Sequence, residues 1–289
     1  TYKRFNNHVT RDYAFLSNPN TAKYIGIVVI FSGGFYLTHL DEAPVSGRKR
    51  FICVSESIEK RIGQYTYNQI MSQYRRQLLP SNHPTTLKVK RIMERIISAS
   101  GTEEDPLVNW EIHVINSNDS PNAFVIPGGK VFVFSSLLPI AKNDDGLATI
   151  LAHEFSHQLA RHSAENLSKA PIYSLLSLVL YTITGSDTLN NLLIRSVIAM
   201  PASREMETEA DYIGLMIMSQ ACFDPHEAPK VWQRFSDYES KTGNRVPEFL
   251  STHPATKRRL ENMNKWLPEA NMKREASNCG AYGAYGASF

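Results

Sequence analysis

The longest uncharged stretch of the chain lies near its start. From Tyr24 to Leu40 none of the 17 residues is Asp, Glu, Lys or Arg, and Ile, Val and Phe are frequent. As a helix with a rise of about 1.5 Å per residue, this stretch would cover roughly 26 Å, just short of the hydrocarbon thickness of a bilayer. We therefore expect one transmembrane helix at 24–40, behind a polar N-terminal segment at 1–23. A buried core helix, or the apolar part of a signal peptide, is the alternative.

The two sides of this stretch carry equal numbers of basic residues. Four Lys and Arg precede it, and four lie within residues 41–60. Because orientation in a membrane follows an excess of Lys and Arg on one side, the sequence gives no orientation. A basic linker is expected over 41–54. Two segments, 55–79 and 85–99, then repeat apolar residues at helical spacing. The basic run in the second segment is interpreted as a solvated helix face rather than a binding patch.

Alternating apolar positions replace the helical period between residues 110 and 134. The runs Ala123–Ile126 and Lys130–Phe134 are rich in Val, Ile and Phe, and a Pro-Gly-Gly sequence separates them. Such a break between two β-prone runs predicts a hairpin.

The rest of the chain is mainly helical in pattern, from Asp144 almost to residue 266. Breaks are expected near Gly185, Pro201, Pro225 and Gly243. The predicted fold class is α+β: one mainly helical domain over 55–268 with one small β-sheet, preceded by the single transmembrane helix. The Gly-, Ala- and Tyr-rich end is low in complexity, so residues 269–289 are expected to form a flexible tail.

Composition excludes several classes of function. With 42% apolar and 20% charged residues, the chain has the composition of a folded protein. A net charge of +3 without a long basic run argues against a nucleic-acid partner. Residues 127–130 begin like a phosphate-binding loop but lack its second half, so no nucleotide is expected. Three cysteines without C-x-x-C spacing exclude a cysteine-based zinc site. Cys222 and Cys279 could form one disulfide in an oxidising compartment, and two free thiols are equally plausible.

The sequence His153-Glu154-Phe155-Ser156-His157 carries the main chemistry. Two histidines four residues apart lie on one face of a helix and can bind one metal ion. Zinc lowers the pKa of a bound water towards about 7, and Glu154 between the histidines can take up its proton as general base. Residues 143–145 can cap this helix, and its apolar positions can pack into a core.

The third metal ligand has two sources to consider. His162 lies nine residues after His153, which places it on the opposite side of a continuous helix, so it is rejected. A carboxylate from a later helix is the better candidate. Residues 203–211 contain four acids, of which Glu207 and Asp211 share one helix face. Glu205 and Glu209 share another face, and spacing alone leaves both pairs open.

The segment Ser203–Asp211 also resembles the S-R-x-x-E-x-x-A-D helix of membrane zinc endopeptidases that include HtpX-like and CAAX-prenyl-protease enzymes. The resemblance implies a zincin-like metallopeptidase domain with one Zn²⁺ per chain. It implies that Glu207 is the third zinc ligand, that Asp211 supports a ligand histidine, and that Arg204 is a buried organiser of the site.

Two further segments resemble this group. Asn122, Ala123 and Phe124 resemble a strand that borders the cleft, where an extended substrate can add as a further strand. His253, followed by Pro254, resembles an H-P motif near the active site. The resemblance implies that His253 is a candidate donor to the tetrahedral oxyanion.

A narrower resemblance is to the mitochondrial inner-membrane branch, whose activity overlaps that of the m-AAA protease. It is carried by Ala43–Phe51 after a single span and by His153–His162, and the sequence looks fungal. It implies a single-pass protein with its catalytic domain in the intermembrane space, acting in quality control and the stress response. The expected partners are protein substrates in the membrane, the lipid bilayer and further copies of the chain, without nucleic acid or nucleotide.

Two other functions compete with proteolysis at the inner membrane. One is a catalytically silent scaffold or chaperone with a structural zinc, against which the intact Glu154 argues, because a structural site has no use for that carboxylate. The other is a bacterial envelope peptidase of the same chemistry, in which the apolar stretch would be a signal anchor.

Overall fold

The computed structural model describes residues 19–43, 45–101, 109–118, 121–186, 188, 190, 194, 200–242, 248–277 and 279. The first half contains α1 (Pro19–Thr38), β1 (Leu40–Glu42), β2 (Lys49–Phe51), α2 (Glu56–Tyr74), α3 (Pro84–Ser100), β3 (Glu111–Ile115), β4 (Ala123–Ile126) and β5 (Lys130–Phe134). The second half contains α4 (Leu138–Ala141), α5 (Asp144–Leu159), α6 (His162–Thr184), α7 (Met200–Gln220), α8 (Glu227–Thr242), α9 (Glu248–Thr252) and α10 (Lys257–Ala276). The predicted α+β class, mainly helical with small sheets, is confirmed.

Helix α1 contains most of the uncharged stretch. Its apolar side chains are exposed, with Ile30 at 74% and Phe31 at 73%. Over the described ranges, no helix combines the length and apolar character needed to cross a bilayer. The expectation of a transmembrane helix at 24–40 is therefore not supported. Most of the predicted polar segment at 1–23 lies outside the described residues.

The expected linker at 41–54 contains an antiparallel pair of short strands, in which Leu40 of β1 lies opposite Phe51 of β2. Ala43, Arg50 and Phe51 are buried, so this segment packs against the domain rather than only connecting to it. We call β1 and β2 with their connection the N-terminal hairpin.

The larger sheet has the strand order β3-β5-β4. The predicted hairpin is confirmed, since β4 and β5 pair in antiparallel register with Phe124 opposite Phe132. Its turn needs Gly128 and Gly129, whose φ angles are +92° and +78°. Strand β3 adds in parallel to the other side of β5, which is buried at all five positions. That pairing does not follow from alternation in the sequence.

Helix α5 lies in the centre of the core. The Asn143 side chain accepts a hydrogen bond from the Gly146 backbone N–H at 2.7 Å, a cap worth about 1 kcal/mol. Every residue from Gly146 to Ser156 is buried. Helix α7 packs against α5, and a Cβ on Gly214 would come within 3.0 Å of the backbone of Ala152 and His153. Glycine at this position thus lets α7 approach the motif directly.

Two boundaries differ from the predictions. The helical pattern after Asp144 breaks at Ala160 and Arg161, because Arg161 adopts a left-handed conformation with φ of 52°. Helix α10 continues to Ala276, well into the predicted tail, and residues 281–289 of that tail lie outside the described residues. A disulfide joins Cys222, after α7, to Cys279, after α10.

Candidate metal centre

Helices α5 and α7 bring three side chains together. His153 and His157 are one turn apart on α5, and their Nε2 atoms are 3.1 Å apart. Glu207 on α7 places Oε2 3.3 Å from His153 Nε2 and Oε1 3.3 Å from His157 Nε2. Spacing alone left open which pair of acids on α7 faces the metal centre. Glu207 faces the histidines, whereas Glu205 of the other pair is exposed.

The spacing of these donor atoms fits a tetrahedral ion. Zinc bonds to nitrogen or oxygen of about 2.0–2.1 Å separate two ligands by about 3.3 Å in a tetrahedron. The three measured separations lie between 3.1 and 3.3 Å. Two imidazoles and one carboxylate are also a donor set found in zinc hydrolases. The residues present therefore fit a bound metal ion.

Glu154 lies beside these ligands in a dry environment. It is 4% exposed, and within the described part of the chain its Oε1 atom is buried without a hydrogen-bond partner. Burial raises the pKa of Glu154, although the nearby His253 and His153 oppose this. A carboxylate with a raised pKa and an unengaged oxygen can accept and return a proton near neutral pH.

His253 follows α9 and completes the group. Its Nδ1 atom lies 2.9 Å from Glu207 Oε1 and 3.3 Å from His153 Nε2, and its Nε2 atom lies 3.4 Å from Glu154 Oε1. Ligand atoms of His153, His157, Glu207 and His253 all lie within 4.8 Å of one another. At this position His253 can either act on a substrate beside the metal or serve as a fourth ligand.

Asp211 and Arg259 support the His153 side. His153 Nδ1 lies 3.1 Å from Asp211 Oδ1. The guanidinium of Arg259 binds both oxygens of Asp211, at 2.6 and 2.7 Å, reaches Glu207 Oε2 at 3.1 Å and stacks on Trp232 at 3.7 Å. All these groups are buried, so the two carboxylates are ionised only because this guanidinium and the histidines accompany them.

The expectation of a buried Arg204 is wrong. Arg204 is exposed in the first turns of α7, although it lies two turns before Asp211 on the same side of the helix. Arg259 occupies the buried position beside Asp211 and Glu207 that was expected for Arg204. Arg259 follows another basic pair, Lys257 and Arg258, and nothing in that run distinguishes the buried arginine from its exposed neighbours.

On the His157 side, the centre contains two buried residues that the sequence did not predict there. His162 was expected to face outward, but it is 3% exposed and its Nδ1 lies 2.7 Å from His157 Nδ1. The break at Ala160 and Arg161 turns α6 back and brings His162 over His157. Glu209, expected on a solvated face, is 5% exposed and lies 3.1 Å from His162 Nε2.

The protonation states of His157 and Glu207 favour metal binding, and that of His153 opposes it. Burial lowers the pKa of His157 to about 3, so its imidazole is neutral. Burial opposes ionisation of Glu207, but hydrogen bonds from three histidines outweigh it and hold its pKa well below the usual value. Burial also lowers the pKa of His153, but hydrogen bonds to Asp211 and Glu207 raise it to about 9. A cation that binds His153 must therefore displace a proton.

The predicted substrate strand borders this centre. Strand β4 packs against α5, and no strand among the described residues pairs with its outer edge. Asn122 and Ala123 are buried, and the Asn122 carbonyl accepts a hydrogen bond from the Phe134 N–H at 2.9 Å. Phe124 contacts Phe132 across the sheet, with ring centroids 5.3 Å apart. An unpaired edge beside the motif helix is suited to strand addition.

Comparison with known proteins gives a consistent family. The sequence profile of peptidase family M48 matches residues 84–267. The chain is 54% identical to the mitochondrial metalloendopeptidase OMA1 of Saccharomyces cerevisiae, over all of this chain and 88% of that protein. It is 46% identical to the OMA1 of Schizosaccharomyces pombe, over 92% of this chain and 79% of that protein. The β-barrel assembly-enhancing protease of Escherichia coli is 29% identical over 76% of this chain and 46% of its own length.

The matched residues include the motif helix, Glu207 and His253, which the fold brings together in one buried group. The family match covers more than half of the chain, and the yeast relative extends over its full length. This chain therefore belongs to peptidase family M48 and is a mitochondrial metalloendopeptidase.

Proposed function

We propose that the bound ion is Zn²⁺ and that the chain hydrolyses peptide bonds of proteins in the mitochondrial inner membrane. The proposal includes a catalytic domain that faces the intermembrane space and a role in protein quality control and the stress response. The donor set and its spacing support zinc. The resemblance to the inner-membrane branch, carried by residues 43–51 and 153–162, supports the location.

The metal ligands in this proposal are His153, His157 and Glu207. Zinc, when bound there, supplies Lewis-acid activation of a water molecule and of the scissile carbonyl. Asp211 accepts the Nδ1 proton of His153, so that the Nε2 lone pair points at the ion. Arg259 keeps Asp211 ionised and in place.

Glu154 acts as general base in the proposed reaction. Its free Oε1 takes the proton of the attacking water and then gives it to the leaving amine. Burial raises the pKa of Glu154, which helps the carboxylate to take the proton and hold it between the two transfers. His253, 3.4 Å from Glu154, donates a hydrogen bond to the oxyanion that forms on the carbonyl.

The substrate backbone lies along the outer edge of β4 in this proposal. An added strand would pair its carbonyl and N–H groups with those of the β4 edge at Ala123 and Phe124, close to the motif helix. Main-chain pairing of this kind requires an extended substrate and selects only weakly for its amino-acid sequence.

Attachment to the inner membrane is assigned to α1. From Tyr24 to Leu37 its side chains include Val28, Val29 and Ile30, all more than 60% exposed, and no charged residue lies among them. Carbonate extraction of mitochondria that contain the full chain should leave it in the membrane pellet, and a variant lacking residues 24–38 should be released. Equal release of the two proteins would contradict this assignment.

A single observation carries the proposed reaction: four donor atoms of His153, His157 and Glu207, 3.1–3.3 Å apart, lie beside a buried carboxylate oxygen of Glu154 that has no hydrogen bond within the described residues. Glu154→Gln should keep about one zinc per chain and lose at least about 99.9% of its peptide cleavage. Glu205→Gln is the matched control, because it makes the same change at an exposed glutamate. Full cleavage by Glu154→Gln would contradict the mechanism and favour a scaffold with a structural metal.

A further inference from the structure

A chain of buried and partly buried hydrogen bonds runs from His157 to the N-terminal hairpin. His157 Nδ1 lies 2.7 Å from His162 Nδ1, and His162 Nε2 lies 3.1 Å from Glu209 Oε2. The same carboxylate oxygen accepts from Arg48 Nε at 3.1 Å and Arg48 Nη2 at 2.9 Å. Ser46 Oγ donates to the other oxygen of Glu209. The path therefore joins a metal ligand to a side chain that lies more than 100 residues earlier in the sequence.

The chemistry of the groups fixes the direction of these hydrogen bonds. An ionised carboxylate only accepts, so Nε2 of His162 must donate to Glu209. In the tautomer with the proton on Nε2, Nδ1 of His162 accepts from Nδ1 of His157. With its proton on Nδ1, His157 has the lone pair on Nε2, the atom that faces His153 and Glu207. The relay thus sets the ring state that a metal ligand needs.

Glu209 shares Arg48 with a second buried carboxylate. Arg48 also binds both oxygens of Glu165, at 2.9 and 2.6 Å, and Lys169 pairs with Glu165. Two carboxylates therefore meet two permanent cations in this cluster, which ties the hairpin to both α6 and α7.

The hairpin makes a second contact to the motif helix. Arg50 is 4% exposed and donates to the carbonyl oxygen of Ala160, at the end of α5. Arg48 and Arg50 thus contact α7, α6 and the end of α5, which are the three elements that surround His157. The contacts that dock the hairpin therefore also hold the elements that position His157.

We propose that His162 and Glu209 are positioning residues that fix the ring of His157 for metal binding, and that Arg48 makes this arrangement depend on docking of the N-terminal hairpin. The inference rests on the proposed function, because it concerns the affinity of the same zinc site. Outer hydrogen-bond partners of metal-bound histidines typically affect metal affinity by about 10- to 100-fold.

Glu209→Gln tests the relay with little change in shape. The amide oxygen takes the place of Oε2 facing Arg48 and His162, but it is uncharged and accepts more weakly, so the ring state of His162 is held less firmly. Zinc affinity, measured by chelator competition on the full chain, should fall by about 10- to 100-fold. Glu205→Gln, on the same helix but exposed, should leave the affinity unchanged. In the zinc-loaded protein, the exchange-protected Nδ1 proton of His157 should be visible by NMR in wild type and lost in Glu209→Gln.

Arg48→Met tests the link to the hairpin and keeps most of the apolar side chain. It should weaken zinc binding by about 3- to 10-fold, and combining it with Glu209→Gln should add little, because both changes interrupt one path. Equal zinc affinity of Glu209→Gln and Glu205→Gln would overturn the relay. Fully additive effects of Glu209→Gln and Arg48→Met would overturn the link. Absence of zinc binding by wild type would instead refute the proposed function itself.

Discussion

The two ligand histidines of the motif helix are supported in different ways. His153 Nδ1 lies 3.1 Å from Asp211 Oδ1, and the carboxylate of Asp211 is bound by Arg259, which stacks on Trp232. His157 reaches its carboxylate, Glu209, only through a second imidazole, that of His162. The first set of partners comes from α7 and α10 within the core, and the second depends on the N-terminal hairpin.

The partners of His153 are therefore fixed in the core, whereas those of His157 depend on docking of the N-terminal hairpin. Around His153, Asp211 and Arg259 are 3% and 4% exposed, and breaking their pair would leave an uncompensated buried charge. Around His157, the guanidinium of Arg48 is 20% exposed and belongs to a two-stranded element of three residues per strand. Isolated two-stranded pairs are marginally stable, so the hairpin depends on its docking contacts.

Glu207 belongs to both halves, so its removal should have the largest effect. It contacts both histidines and Arg259, and Glu207→Ala removes one of three proposed ligands. The variant should lose its zinc on dialysis and all measurable cleavage, with metal content read by atomic emission. Glu205→Ala, at an exposed position of the same helix, should retain about one zinc per chain. Equal metal content in the two variants would show that Glu207 is not a ligand.

His253 lies between the two halves, and its removal tests which role it has. The loss of an oxyanion donor should lower kcat by about 10²- to 10³-fold with little change in KM. His253→Ala should therefore keep its zinc and cleave a peptide slowly, as measured in steady-state assays. Faster cleavage than wild type would mean that His253 instead occupies the open coordination position, a possibility that its 3.3 Å distance from His153 Nε2 allows.

The arginines of the two halves should differ in their effect on stability. Arg259→Met leaves Asp211 and Glu207 buried without their cation, which typically costs about 3–5 kcal/mol. Arg48→Met removes a partly exposed cation from two buried carboxylates, of which Glu165 keeps its partner Lys169, so it should cost less, about 1–3 kcal/mol. Urea unfolding in the presence of a chelator compares the two without the contribution of bound metal. Similar losses of unfolding free energy would remove the distinction between core and hairpin.

The sequence predicted the half of the site that rests on short, regular spacing. His153, Glu154 and His157 follow from one helical turn, and Glu207 follows once a second helix is matched to a known pattern. The half of the site around His157 depends on a change in the direction of the chain between α5 and α6. The left-handed conformation of Arg161 ends α5 early, and no glycine or proline marks that point in the sequence.

Long-range pairs explain the remaining differences. The choice of Arg259 over Arg204 depends on how α10 crosses α7, which local spacing does not contain. The hairpin at 40–51 has strands of three residues, too short for alternation to be recognised. The apolar positions of α5, by contrast, were predicted to pack into a core, and every residue from Gly146 to Ser156 is buried.

The smallest expected effect concerns pH and the hairpin half. Burial raises the pKa of Glu165, but hydrogen bonds from Arg48 and Lys169 outweigh it, and the net pKa lies below the usual value of 4.5. A carboxyl with a lowered pKa in the folded state adds stability above its unfolded pKa. That stability is lost as the pH falls through the folded pKa. Glu165→Gln lacks this contribution, so its unfolding free energy should lie below that of wild type at about pH 6 and approach it below about pH 4. Glu205→Gln, which removes the same charge at an exposed position of α7, controls for a general change in charge. A constant difference between wild type and Glu165→Gln across this range would show that the Arg48 pair contributes nothing that depends on ionisation of Glu165.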